Sequence, residues 1–191
     1  MKFVVDEFSE TFEEKKSKFI AFLVPYSKFD ELMTRLRQEH PKARHYVYAY
    51  RYLNEFGQVV ENSSDDGEPK GTSGKPSLNV LAGAGIINSA VVIVRYFGGV
   101  KLGTGGLVRG YGASVNKVLD VAKLYEYKDN IKAYIECDYN QFSKVEYMLN
   151  QESIEIVNKD FTTAVKVEIK LTKQEYEKIK EILPLDVNIY K

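Results

Sequence analysis

The chain has 191 residues, 44% of them hydrophobic and 28% charged, with 27 basic and 27 acidic side chains. This is an ordinary globular composition, enough for one large domain or two small ones, and the balanced charge excludes a general basic coat, so a polyanion must be met by a local patch. A single cysteine, Cys137, excludes an internal disulfide and a cysteine-rich zinc site; no apolar run approaches the ~20 residues that span a bilayer, no charged-then-apolar leader is visible, and the expected location is the cytoplasm.

Val4 to Phe8 reads as the beginning of an edge strand, and Lys16 to Val24 starts polar and turns apolar as a strand does, closed by Pro25. Ser27 reads as the N-cap of a helix with Asp30 and Glu31 in its first turn, running through Leu32 and Leu36 to about Glu39 before Pro41. Neither His40 nor His45 has a second histidine or a cysteine at ligand spacing, so they read as a helix-end and a strand residue.

Arg44 to Tyr52 alternates strictly: Tyr46, Tyr48, Tyr50 and Tyr52 share one face, and His45, Val47, Ala49 and Arg51 the other. The usual fate of such a row is an inter-layer core with hydroxyls at its rim. The competing reading is an open face with Arg44 alongside, on which unpaired bases stack. After a turn at Gly57, Val59 to Glu61 reads as a short strand.

Asn62 to Pro76 carries no apolar side chain and reads as one long loop, a feature that inside compact domains tends to be functional. Its acids Asp65, Asp66 and Glu68 have the hard oxygens to hold a divalent cation, but lack the register of an EF-hand loop. They can equally cap helix ends or pair with Arg95 and Arg109. Ser77 to Gly83 follows as a short helix started by Pro76.

Ala90 to Val94 is a continuous β-branched run, the pattern of a strand buried on both faces, and it gives way at Arg95 to a glycine-rich segment ending at Gly110. Gly98 and Gly99 suit a turn, while Gly103, Gly105 and Gly106 allow close approach at a helix start. Leu107, Tyr111, Val115, Val118 and Ala122 make one apolar helical stripe reaching about Leu124. Between Ile86 and Tyr125 the basic residues are Arg95, Lys101, Arg109, Lys117 and Lys123, and the acid is Asp120. A helix start with Arg95, Lys101, Gly103, Gly105, Gly106 and Arg109 around it is an anion site in outline. Neither standard phosphate loop is present: GxxxxGK[ST] is missing, and Val108 stands where GxGxxG needs its last glycine. Glycines that serve only helix packing, with solvated cations, are the alternative.

Composition turns polar past Tyr125, placing a boundary near Tyr127 between domains of residues 1–127 and 128–191. Ile131–Asp138, Gln141–Gln151, Ile154–Asp160, Ala164–Leu171, a helix capped by Thr172 and ending near Leu183, and Leu185–Tyr190 give the order βαββαβ, a ferredoxin-like sandwich. Cys137, on its first strand, reads as a small core residue.

Two long segments carry a specific resemblance: DDGEPKGTSGKPSLNVL at Asp65–Leu81 and RYFGGVKLGTGGLVRGYG at Arg95–Gly112. In that order they are similar to the signature of the Impact family, including its bacterial YigZ-type members, and the likeness extends from the KKSKFI stretch ending at Ile20 into the C-terminal part. The resemblance implies an α+β protein of two α/β sandwich domains, the first like elongation factor G domain IV and the second, ferredoxin-like, like its domain V. It assigns the signature to Arg95, Tyr96, Phe97, Gly98, Gly99, Leu102, Gly103, Gly105, Gly106 and Arg109 and to Asp65–Pro69; at Gly110 similar sequences commonly carry Ala. It supplies no catalytic residue and no cofactor.

The two fold likenesses suggest a module that touches ribosomes or structured RNA, which is argument by analogy. For the eukaryotic Impact protein the resemblance implies regulation of the general amino-acid-control kinase pathway, an interaction not carried over because the RWD-type domain is not seen here. The leading expectation is a non-catalytic RNA- or ribosome-associated protein linked to translation. Its alternatives are a protein-interaction regulator without nucleic acid and an enzyme on a small phosphorylated substrate. The last is weakened because the serine-rich phosphate loop of the GHMP kinases, which share the first domain's general fold, is missing.

Overall fold

A computed structural model describes all 191 residues. The chain divides into two compact units, Met1–Tyr127 and Lys128–Lys191. No helix is long and apolar enough to cross a membrane.

In the first unit the elements are β1 (Lys2–Phe3), β2 (Phe8–Glu14), β3 (Ser17–Pro25), a single 3-10 turn (Tyr26–Lys28), α1 (Phe29–Glu39), β4 (His45–Leu53), β5 (Val59–Ser64), α2 (Gly74–Gly83), β6 (Ser89–Tyr96), α3 (Gly103–Val121) and β7 (Tyr125–Glu126). Five strands form one antiparallel sheet in the order β2-β3-β6-β4-β5, and β1 pairs with β7. β6 is central because its run from Ser89 to Arg95 is buried throughout, so both of its faces need a cover.

Alternation supplies two covers. Phe19, Ala21, Leu23, Val47, Ala49, Val91 and Ile93 face Leu78 and Leu81 of α2 and Leu107, Tyr111, Val115 and Val118 of α3. Val24, Ala90, Val92, Val94 and Tyr46 face Leu32 and Leu36 of α1. The connections β3-α1-β4 and β5-α2-β6 each join parallel strands across one intervening strand, and they run in opposite senses. With α1 and α2 on opposite faces, the two crossovers must have opposite hands, so one is left-handed, a hand found in only about 2% of such units.

Several boundaries differ from the sequence expectation. The edge strand is Phe8–Glu14, not Val4–Phe8; Phe8 and Phe12 pack on the core from a strand otherwise polar, and a tight turn at Lys15 and Lys16 (φ 47° and 65°) returns the chain into β3. Ser27 lies inside the 3-10 turn rather than capping α1, whose N-cap position is Lys28 with no side-chain cap. Irregular structure spans Asp65–Ser73, not Asn62–Pro76: Asn62–Ser64 pair with Tyr50–Tyr48 through the backbone, which side-chain polarity does not report.

The tyrosine row belongs to the core and its rim. Tyr46 is 6% exposed, and Phe29 at the start of α1 packs edge-on against Tyr48 and Tyr50 with centroids 5.0 and 5.3 Å away. Tyr26 stacks on Tyr52 at 4.2 Å. Of the two readings of the row, the core with its rim describes it; the competing one, Tyr46, Tyr48 and Tyr50 with Arg44 as an open base-stacking face, does not, because α1 covers that face.

The second unit contains β8 (Asn130–Cys137), α4 (Tyr139–Gln151), β9 (Glu155–Phe161), β10 (Val165–Thr172), α5 (Lys173–Ile182) and β11 (Asn188–Tyr190). Its sheet order β11-β8-β10-β9 is the ferredoxin-like arrangement. Val145, Leu149, Tyr176 and Ile179 of the helices cover Ala133, Ile135, Cys137, Val165, Val167 and Ile169. Thr172 caps α5 reciprocally, its hydroxyl accepting from the Glu175 N–H at 3.2 Å while the Glu175 carboxylate accepts from the Thr172 N–H at 2.7 Å.

Candidate nucleic-acid interface

Strand direction gathers the signature segments at one end of the first sheet. β3 and β4 begin there, β5 and β6 end there, and the register sets Phe19 and His45 on either side of Arg95. Three segments meet at that end: the Asp65–Ser73 loop, the turn from Phe97 to Leu102 and the start of α3.

Arg95 is the internal post of this end. It is 6% exposed; its Nη1 donates to Glu68 Oε1 at 2.5 Å and its Nη2 to the Ser17 hydroxyl at 3.5 Å. The Tyr111 hydroxyl donates to the same Glu68 oxygen at 2.8 Å, and His45 Nε2 stands 3.9 Å from it. Burial, with the Glu68 charge adding to it, pushes the Tyr111 hydroxyl well above the ordinary phenol range. A buried guanidinium needs this company, since an unpaired one would be prohibitively desolvated. Arg95, expected among the phosphate ligands, is thus committed to an internal ion pair.

The acidic loop residues are also engaged inward. Asp65 accepts from the N–H groups of Gly71, Ser73 and Gly74 and from the Ser73 hydroxyl, capping α2. Burial acts against its charge, yet these bonds outweigh burial and hold its carboxyl below the usual range. Asp66 ties the loop to β4, its carboxylate accepting from the Tyr46 N–H at 2.6 Å and its carbonyl from His45 Nδ1 at 2.8 Å. Of the readings left open by the sequence, capping and pairing with Arg95 describe the loop. The pairing with Arg109 does not form, because that side chain makes no salt bridge and stands exposed on α3.

What faces solvent is cationic. The N-cap position of α3 is Leu102, which offers no side-chain acceptor, and the first turn contains no acid. Gly103 (φ 73°), Thr104 and Gly105 of this turn are exposed, with Lys101 beside them. Arg109 lies back along the helix, its Nη1 only 3.6 Å from where a Gly105 Cβ would stand, so its charge sits over the first turn. Gly106 has a packing role instead: a Cβ there would come within 2.9 Å of Leu102 Cβ. A cavity of about 360 Å³ is lined by Glu68, Arg95, Phe97, Lys101, Gly103 and Thr104 among others. A second, of about 200 Å³, is lined by Lys42, Arg44, Arg95, Tyr96 and Phe97.

Sequence reading missed Lys42 and Ser17 as parts of this end, and it did not foresee that the ring of Phe97, a signature residue, is exposed. Lys42 and Arg44 are visible as a cationic pair before β4, but only the register of β4 beside β6 brings them to the glycine-rich segment.

Each unit matches a family model. Residues 15–119 match the Impact N-terminal domain, and residues 135–183 match a domain of unknown function (DUF1949). The chain is 36% identical to the IMPACT family member YigZ of Escherichia coli over 162 residues, covering 83% of this chain and 79% of that protein. It is 33% identical to an IMPACT family member of Haemophilus influenzae over 181 residues, covering 92% and 88%. A crystal structure described as that of an hypothetical protein superimposes with a TM-score of 0.63 at 30% identity, covering 98% of this chain and 95% of that one. The matches span most of this chain and of those relatives, and the chain belongs to the Impact family.

Proposed function

We propose that this protein is a non-catalytic, cytoplasmic RNA- or ribosome-associated binding protein linked to the regulation of translation, and that it takes RNA phosphates at the start of α3. The observation that carries the reading is the uncapped, acid-free first turn of α3 with Lys101 and Arg109 over it, while Asp65, Asp66 and Glu68 are engaged by donors of the protein itself. Helix-start N–H groups and flanking cations together favour phosphate. Lys16, Lys42, Arg44, Lys70 and Lys101 are exposed at the same end and form no salt bridge, so the local field is positive although the chain is neutral. Family membership supports the link to translation, through the role that the resemblance implies for eukaryotic members.

The test is equilibrium binding to ribosomes and to a structured RNA across a salt series. Lys101→Ala and Arg109→Ala should each weaken binding and reduce the log–log salt slope by about one. Absence of binding at low salt, or a slope unmoved in both variants, overturns the reading. The 360 Å³ cavity favours one second reading, a small phosphorylated ligand. A saturable rise in melting temperature with a mononucleotide, without RNA binding, would support it.

A further inference from the structure

Phe97 is the large aromatic side chain left open at this end, 52% exposed. Its position follows from the glycines after it. A Cβ on Gly98 would lie 2.0 Å from the Lys16 carbonyl carbon and 2.3 Å from the Ser17 nitrogen, so the backbone is pressed against the start of β3. The Gly98 N–H reaches the Ser17 hydroxyl at 3.3 Å, and Gly99 turns the chain away with φ 86°. The ring is therefore held outside the core rather than folded onto α3. The Arg95 guanidinium, fixed by Glu68, lies 5.9 Å from its centroid.

Phe97 also borders both cavities. It shares one cavity with Lys101 and the α3 start, and the other with Lys42 and Arg44. An exposed ring between two groups of cations is the arrangement that binds a single strand: a base stacks on the ring while the phosphates before and after it meet positive charge. We propose that Phe97 is a stacking platform for an unpaired base of single-stranded RNA, with one flanking phosphate at Lys101 and the α3 start and the other at Lys42 and Arg44. The proposal rests on the phosphate-binding reading above and narrows it to unpaired RNA.

The chain contains no tryptophan, so Phe97→Trp introduces a sole one at the platform. Its fluorescence should be quenched by a single-stranded oligoadenylate and unchanged by a fully paired RNA stem. Phe97→Ala should weaken oligoadenylate binding roughly 5- to 150-fold, the effect expected of one lost base stack, with the salt slope of the unmodified protein because no charge is removed. Equal melting temperatures would establish that the variants are folded. If oligoadenylate binds with its usual salt dependence but is insensitive to Phe97→Ala, the platform is wrong and the phosphate site stands. If the unmodified protein binds neither RNA at low salt, both fall.

Discussion

Glu68→Gln is the most informative single change, because it separates the internal pair from the outer cationic surface. The Arg95 and Glu68 side chains are 7% and 4% exposed, so solvent screens them little. Glutamine keeps the shape and one acceptor for the Tyr111 hydroxyl, but leaves the Arg95 charge with only the Ser17 hydroxyl at 3.5 Å beside a neutral amide. Breaking a buried pair from one side costs ~3–5 kcal/mol, and the retained hydrogen bonding sets the expectation at about 3 kcal/mol. At roughly 4 °C per kcal/mol for a domain of this size, the transition of the Met1–Tyr127 unit should fall by about 12 °C. Thermal unfolding by circular dichroism reads that loss. Adding Arg95→Met to Glu68→Gln should recover at least about 1 kcal/mol, since the unpaired charge is then gone. A Glu68→Gln protein within about 1 kcal/mol of the parent, or strict additivity in the double variant, would refute the ion-pair argument. The RNA salt slope of folded Glu68→Gln should match the parent, because the proposed phosphate contacts are Lys101 and Arg109 and not this buried pair.

Three further outcomes follow from the same geometry. Gly98→Ala should cost at least about 3 kcal/mol, the upper end of overpacking, because its Cβ would meet backbone at 2.0 Å, whereas Gly110→Ala, facing the Phe19 ring at 2.8 Å, should cost about 1–2 kcal/mol because a ring can shift; denaturant midpoints decide the order. The Asp65 carboxyl is held below its ordinary value of 3.8, so its contribution is present above that value and lost as pH falls through the lower folded one. Asp65→Asn should thus be destabilised at neutral pH, with the gap to the parent closing in acid melts, and a gap independent of pH would refute the capping account. Cys137 is buried and burial raises its thiol, so a thiol reagent should react only as the second unit opens. Thr172→Ala, losing about 1 kcal/mol of cap, should speed that reaction about fivefold, and rapid labelling of the native parent would contradict the burial.

Much of the fold was legible because its signals are local. The AVVIV run announced a strand covered on both faces, the Leu107–Val118 stripe announced α3, and Thr172 announced the capped start of α5. The edge strand β2 was not legible, since half-exposed pairing tolerates FSETFEE and its hydrogen bonds belong to the backbone. The start of α2 was misplaced at Ser77 for a related reason: the helix begins at Gly74, where Asp65 reaches its N–H across nine positions, beyond any local capping pattern.

The sequence by itself determined the family signature, the glycine-rich helix start and a local excess of cations, because each is a property of contiguous residues. Only the tertiary structure decided which charges are free. Arg95 and Glu68 are 27 positions apart, and Arg95 and Ser17 are 78 apart; the pairing of β3 with β6 and the loop that Asp66 ties to β4 bring them together, converting an expected phosphate ligand into an internal ion pair. The register of β4 beside β6 moves Lys42 and Arg44 beside Phe97, and the packing of α1 covers the tyrosine row while leaving that one ring outside. Alternation tells which residues share a face, but what covers a face depends on a helix placed by the rest of the chain.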